Sequence, residues 1–143
     1  MSVFSWAARV YWEDTDGGGI VYYANYLRFL ERARTEWLRS LGHSQQQLAR
    51  GAGVLFAVSG LSVEYRRPAR LDDELTITCE PRRERATLLR FAQHIYRAAH
   101  GAVLDDTDLV VAADVRVVCV DARTLRPKRL PDFLMDALPL ERA

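Results

Sequence analysis

Two periodicities divide this chain. Between residues 24 and 41, apolar side chains recur at Ala24, Leu27, Leu30, Ala33, Trp37, Leu38 and Leu41, the spacing of one helical face. Charged Arg28, Glu31, Arg32, Arg34, Glu36 and Arg39 fill much of the remainder, and Gly42 offers a natural stop. The spacing predicts one long amphipathic helix, and a tryptophan in its stripe predicts that a sheet wraps it. Elsewhere the pattern is strand-like. Residues 3 to 12 read as a first strand, and further strands are expected at 54–66, 74–80, 87–96 and 109–120. The last alternates most cleanly, with Leu109, Val111, Ala113, Val115, Val117 and Cys119 on one face and Asp108, Asp114 and Arg116 on the other. A short helical piece is expected near residues 44–50, and "PDFLMDAL" predicts another starting at Pro131 or Asp132. Pro68 and Pro81 punctuate the gaps between strands.

One strand, one long helix and then about four strands is α+β order, without the βαβα alternation of a parallel doubly wound fold. One sheet of that size covers one helix and leaves apolar surface over, so a homo-oligomer, at least a dimer, is expected. At 143 residues, 49% apolar and 27% charged, the chain fits a single domain over residues 1–143. A net charge of +1 gives no bulk field to attract nucleic acid or an anionic membrane, so any anion site must be local. The two cysteines, Cys79 and Cys119, sit in apolar or β-branched runs and read as buried strand thiols. His43, His94 and His100 have no metal-like spacing, and no metal is expected. Neither a signal-peptide pattern nor an apolar run of about 18 residues occurs, which predicts a cytoplasmic protein without a transmembrane segment.

The chemistry concentrates in "VYWEDTDGGGIVYYANY", residues 10–26. Glu13, Asp14 and Asp16 put carboxylates at a strand end, three glycines let a ligand approach backbone, and a helix start offers unpaired N–H groups to an oxyanion. A carboxylate beside an oxyanion site suits acyl transfer. There is no Ser/His/Asp set and no GxSxG. A lone carboxylate supplies no acid for the leaving group, and a thiol, ionising near ~8.5, largely removes that need. Thioester hydrolysis is the reaction best matched to so sparse a site. On the residues alone, capping and turn chemistry remains an open alternative.

The stretch "RVYWEDTDGGGIVYYANYLRFLERARTEWL" resembles the signature of the 4-hydroxybenzoyl-CoA thioesterase family of hotdog-fold proteins. "LSVEYRRPARLDDELTI" and "VRVVCVDARTLRPKRLP" extend the likeness toward its Tol-Pal-associated acyl-CoA thioesterase branch, from about Arg9 to Pro131. The resemblance implies a long helix wrapped by a five- or six-stranded antiparallel sheet, dimers with a continuous sheet that commonly pair into homotetramers, and active sites at the dimer interface. It makes Asp16 the catalytic carboxylate. It sets the oxyanion contact near Tyr23 and on the preceding Gly18 and Gly19. The branch usually has histidine at position 23, whereas the 4-hydroxybenzoyl-CoA enzyme that uses aspartate has tyrosine there. Arg82, Arg83 and Arg85 match the segment that holds CoA phosphates, Arg85 most closely by spacing. A second basic cluster is Arg126, Lys128 and Arg129. No cofactor is implied, since CoA belongs to the substrate, and an acyl-carrier protein is a possible partner.

Around this set, Glu13 and Asp14 are expected to hold the glycine turn, Asn25 to cap or brace it, and Asp72 and Asp73 to make another turn. Glu64 is the second-choice carboxylate, with Tyr65 beside it on a strand where one of the two must face outward. Leu27, Phe56, Val58 and Leu61 are candidate acyl-pocket residues. Two rival functions stand beside acyl-CoA hydrolysis. An acyl-thioester dehydratase or hydratase would need a histidine that position 23 does not supply. A non-catalytic acyl-thioester-binding or scaffold protein of the Tol-Pal envelope system would bind without turnover.

Overall fold

The alternating runs form one five-stranded sheet in the computed structural model, which describes residues 3–138 and 140. The strands are β1 (Phe4–Arg9), β2 (Val54–Tyr65), β3 (Glu74–Arg85), β4 (Leu88–Arg97) and β5 (Leu109–Asp121). Their spatial order is β1-β3-β4-β5-β2, and every neighbouring pair is antiparallel. Helix α1 (Tyr26–Ser40) is followed by the short α2 (Gln45–Arg50), and α3 (Asp132–Ala137) closes the described chain. The expected α+β order therefore holds.

Strand alternation sends one side chain in two into the core that covers α1. Leu75, Ile77 and Cys79 of β3, Leu89, Phe91 and Ile95 of β4, and Val111, Val115, Val117 and Cys119 of β5 join Phe29, Leu30, Ala33 and Trp37 of the helix in one cluster. Trp37 meets Phe91 edge to face, with ring centres 5.5 Å apart. The outer face of the sheet is polar: Arg90 pairs with the Asp114 carboxylate, and Thr78 Oγ1 accepts from the His94 N–H. Both cysteines are buried and free, and burial pushes Cys79 up to about 12 and Cys119 to about 11.

Several boundaries and faces differ from the sequence reading, each for a local reason. β1 ends at Arg9, because the Asp14 carboxylate accepts the Tyr11 N–H and curls residues Trp12–Asp14 into a 3-10 turn. α1 begins at Tyr26 after another 3-10 turn, Tyr23–Asn25. Its buried face keeps the expected Leu30, Ala33, Trp37 and Leu38 and differs at the ends of the stripe: Tyr26 and Phe29 are in the core, while Leu27 and Leu41 are exposed. Tyr26 tolerates burial because its hydroxyl oxygen accepts the Ala69 N–H at 3.0 Å. β3 does not stop before Pro81 but runs through it to Arg85. The described β1 pairing ends at Cys79, and beyond it the outer side of β3 is met by an isolated parallel bridge between Arg83 and Leu140, so Pro81 lies in a sparsely paired outer stretch, where a strand accepts proline. Consequently Arg82, Arg83 and Arg85 lie on a strand and not in a loop between strands.

β2 is the exposed edge. Its partner β5 covers one side only, and Val58, Leu61 and Tyr65 are each nearly half exposed along it. A twelve-residue apolar edge strand is a template for pairing with another strand.

Candidate active site

Residues 14 to 22 form a tight hairpin whose tip carries the three glycines. The Tyr22 N–H donates to the Asp14 carbonyl at 2.9 Å, Thr15 and Val21 pair, and the Asp16 N–H donates to the Ile20 carbonyl at 3.0 Å. Gly17 and Gly19 hold φ of +89° and +84°, where an L side chain is strained. The second wall of the hairpin is the 69–71 segment: the Val21 N–H donates to the Ala69 carbonyl at 2.9 Å, and the Leu71 N–H to that of Gly19 at 3.1 Å. Asp73 turns this segment, its Oδ2 accepting the Arg70 N–H, and Asp72 takes a positive φ of 72°.

The two aspartates of the motif have different surroundings. Asp14 is buried, and both its oxygens are used: Oδ2 accepts the Tyr11 N–H and Oδ1 accepts Asn25 Nδ2–H, each at 2.8 Å. It ties the end of β1 to the start of α1. Asn25 thus braces the turn and makes no side-chain cap. Glu13 is exposed. Asp16 is exposed on the hairpin, with Oδ1 accepting the Gly18 N–H at 2.8 Å. A Cβ at position 18 would stand 3.2 Å from that oxygen, so glycine there leaves the carboxylate its room. The Gly18 N–H is thereby engaged by Asp16 itself.

Tyr23 opens the helical turn beside this loop. Its side chain is 62% exposed, and its carbonyl accepts the Tyr65 hydroxyl at 3.1 Å. Its own N–H and that of Ala24 lie at the first turn, where a helix has no internal acceptor to give them. Rings of Tyr22, Tyr23, Tyr26 and Tyr65 cluster around it, with Tyr23 and Tyr65 edge to face at 6.3 Å. The neighbouring Tyr23 hydroxyl holds the Tyr22 phenol above its ordinary value. Burial raises the Tyr26 phenol, against the Ala69 N–H that its oxygen accepts. On β2 the residue that approaches the hairpin is Tyr65. Glu64 points to the other face and pairs with Arg66 at 2.7 Å.

The arginines expected to hold phosphates are not at this end of the chain. β3 begins beside the hairpin and carries them away: Arg85 is eleven residues beyond Glu74, roughly 35 Å at strand rise. Arg82 pairs with Glu80 at 3.2 Å, and Arg83 Nε donates to the Leu138 carbonyl at 2.8 Å. Arg85 is exposed at the far end. In the other basic cluster, Lys128 donates to the Ala52 carbonyl at 3.2 Å. Of the candidate pocket residues, Phe56 and Val58 line an apolar cavity against α1, while Leu27 and Leu61 are exposed. His43 stacks on Phe133, with ring centres 3.7 Å apart, His94 is on β4 and His100 is in the following turn.

Residues 10–138 match the thioesterase-like superfamily. The chain belongs to that family. Its relatives include the acyl-CoA thioester hydrolase YbgC of Escherichia coli O6:H1, 46% identical over 134 residues, which are 94% of each chain. A probable thioesterase from Bartonella henselae superposes with a TM-score of 0.79 at 34% identity, covering 91% of this chain and all of the other. The 4-hydroxybenzoyl-CoA thioesterase of Pseudomonas sp. strain CBS-3 has the same fold, at a TM-score of 0.81 and 24% identity over 95% of this chain. The fold is therefore the hotdog fold, with five strands among the described residues, as the motif led one to expect.

Tyr65 and the 69–71 segment are the neighbours of the hairpin that sequence reasoning ranked low or missed. Strand alternation from the hairpin end of β2 would have separated Tyr65 from Glu64. Nothing local signals the 69–71 segment, because its contact joins distant parts of the chain.

Proposed function

We propose that the protein hydrolyses acyl-CoA thioesters, with Asp16 as the catalytic carboxylate. The observation that carries the reading is an exposed carboxylate on a braced glycine hairpin that runs into a helical turn without a side-chain cap, in a chain 46% identical to a named acyl-CoA thioester hydrolase. The Asp16 carboxylate attacks the thioester carbonyl or takes a proton from an attacking water. The carbonyl oxygen becomes an oxyanion against the Tyr23 and Ala24 N–H groups, and the carbon–sulfur bond breaks to release CoA thiolate. Water is consumed, and the products are a free acid and CoA. The backbone contact needs no histidine at position 23. The relatives' hydrolase names favour this reading over the dehydratase and scaffold alternatives.

The working site spans two chains. Asp16 and Arg85 lie at opposite ends of one sheet, and β2 presents its free apolar edge with Tyr65 at one end and Val54 at the other. Antiparallel pairing of two β2 edges about a two-fold axis sets the Val54 end of one chain against the Tyr65 end of its partner. That brings the Arg82–Arg85 end of one chain toward the Asp16 of the other, and those arginines then hold CoA phosphates. For the setting, we propose what the sequence resemblance implies: a cytoplasmic enzyme of the Tol-Pal-associated branch, dimers pairing into tetramers, and acyl groups from CoA or an acyl-carrier protein. The described residues contain no helix long and apolar enough to cross a membrane.

CoA release by purified protein across short aliphatic, long aliphatic and benzoyl thioesters tests the activity, with equilibrium binding of the same thioesters alongside. Turnover of at least one class is expected. Tight binding of all three without turnover would replace the hydrolase by a binding protein.

A further inference from the structure

A cavity of about 120 Å³ lies between the C-terminal half of α1 and strands β2, β4 and β5. Trp37, Phe56, Leu89 and Phe91 make it apolar, yet Arg34 lines it too. The guanidinium sits 6.0 Å from the Phe91 ring centre and donates to Gln93 Oε1 at 3.0 Å. Gln93 is fully buried, and its Nε2 donates to the Leu30 carbonyl at 3.1 Å, which turns its oxygen toward Arg34. Burial lowers the Arg34 guanidinium from the ordinary arginine value. Among the described residues no carboxylate lies within 4.0 Å of it. Glu31 is on the same cavity, with its carboxylate accepting the Thr35 hydroxyl at 2.9 Å. A desolvated cation with donors to spare is costly unless something brings an acceptor to it.

We propose that this cavity receives the far end of the acyl group, and that Arg34, oriented by Gln93, selects tails that carry an oxygen acceptor over plain hydrocarbon. The inference rests on the hydrolase reading and on the paired β2 edges. Within one chain Arg34 is eight residues along α1 from Tyr26, about 12 Å from the helix start. Phe56 and Val58 line the cavity, and they belong to the half of β2 that faces the partner's glycine hairpin once two edges join. Its volume is close to the roughly 150 Å³ of a cavity that holds benzene, which suits a tail of about five or six carbons.

The test compares kcat/KM for pentanoyl-CoA, 5-hydroxypentanoyl-CoA and glutaryl-CoA, thioesters of one chain length that differ at the tail, in wild type, Arg34→Met and Arg34→Lys. A hydrogen bond to a charged group predicts a preference of about tenfold or more for an oxygenated tail in wild type, carried by KM. The hydroxyl and carboxylate arms show which oxygen source fits. Arg34→Met, which keeps an unbranched apolar stem and removes the guanidinium, is expected to bring the ratio close to one, with Arg34→Lys between. A wild-type preference for pentanoyl-CoA, or a ratio that Arg34→Met leaves intact while slowing all three, would overturn the proposal. Turnover of none would overturn the hydrolase reading instead, and equilibrium binding of the three thioesters would then decide the tail preference by the same ratio.

Discussion

Asp14→Asn probes the brace that presents Asp16. Both carboxylate oxygens of Asp14 accept, from the Tyr11 N–H and from Asn25 Nδ2–H, and the residue is 5% exposed. An asparagine keeps the shape but replaces one oxygen by a donor, so whichever way the amide turns, one donor meets another. Hydrogen bonds to a charged group contribute about 1.5–3 kcal/mol each, and a buried unsatisfied donor costs about 1–3 kcal/mol. The expected destabilisation is about 3 kcal/mol, read by urea unfolding, with a fall in Tm of about 10 °C for a chain of this size. Turnover should fall about 100-fold as the hairpin loosens and Asp16 moves by an ångström or so. The double variant Asp14→Asn with Asn25→Asp exchanges donor and acceptor across the same contact, and it should recover half or more of the lost stability. A single-variant cost under about 1 kcal/mol, or a double variant no better than the sum of the singles, would refute the reasoning.

Other expectations follow from single contacts. Gly18→Ala puts a methyl 3.2 Å from Asp16 Oδ1 at a backbone angle alanine accepts, so kcat should fall about tenfold while stability changes by less than about 1 kcal/mol, measured by turnover and melting together. The Arg90 hydrogen bond, with its charge, holds the Asp114 carboxyl below its ordinary value. The pair's stabilisation is then complete above the ordinary value near ~4 and is lost as pH falls through the lowered folded value. Unfolding of Asp114→Asn beside wild type should show a constant deficit from about pH 5 to 8 that closes in acid. Burial holds both thiols well above the ordinary range, Cys79 at about 12 and Cys119 at about 11, so at pH 8 each is almost wholly protonated and neither should react quickly with a disulfide reagent until the protein unfolds.

Much of the site was readable because it is local. The carboxylates, the glycines and the helix start lie within about a dozen residues, and short-range turn chemistry assembles them whatever the rest does. The division of labour between Asp14 and Asp16 was only half readable, since it depends on Asn25 reaching back across the hairpin to Asp14. The helix was legible in position and, from Leu30 to Leu38, in phase, but not at its start: Tyr26 looks amphipathic in sequence, and the Ala69 N–H that lets it be buried comes from 43 residues away. Pro81 misled for the opposite reason. Proline usually ends a strand, but Pro81 lies past the described β1 pairing, where the outer side of β3 is met by an isolated bridge at Arg83. The arginine cluster was legible as local positive charge but not in its position, because strand length and sheet order decide that it stands at the far end from Asp16.

Asp16→Asn tests the central claim most directly. Asparagine can still accept the Gly18 N–H, so the hairpin keeps its geometry and only the charge and nucleophilicity are lost. On the best acyl-CoA substrate, kcat is expected to fall by about a thousandfold or more, with equilibrium binding of that thioester unchanged. A variant that binds normally and retains kcat within about tenfold of wild type would show that another group does the chemistry.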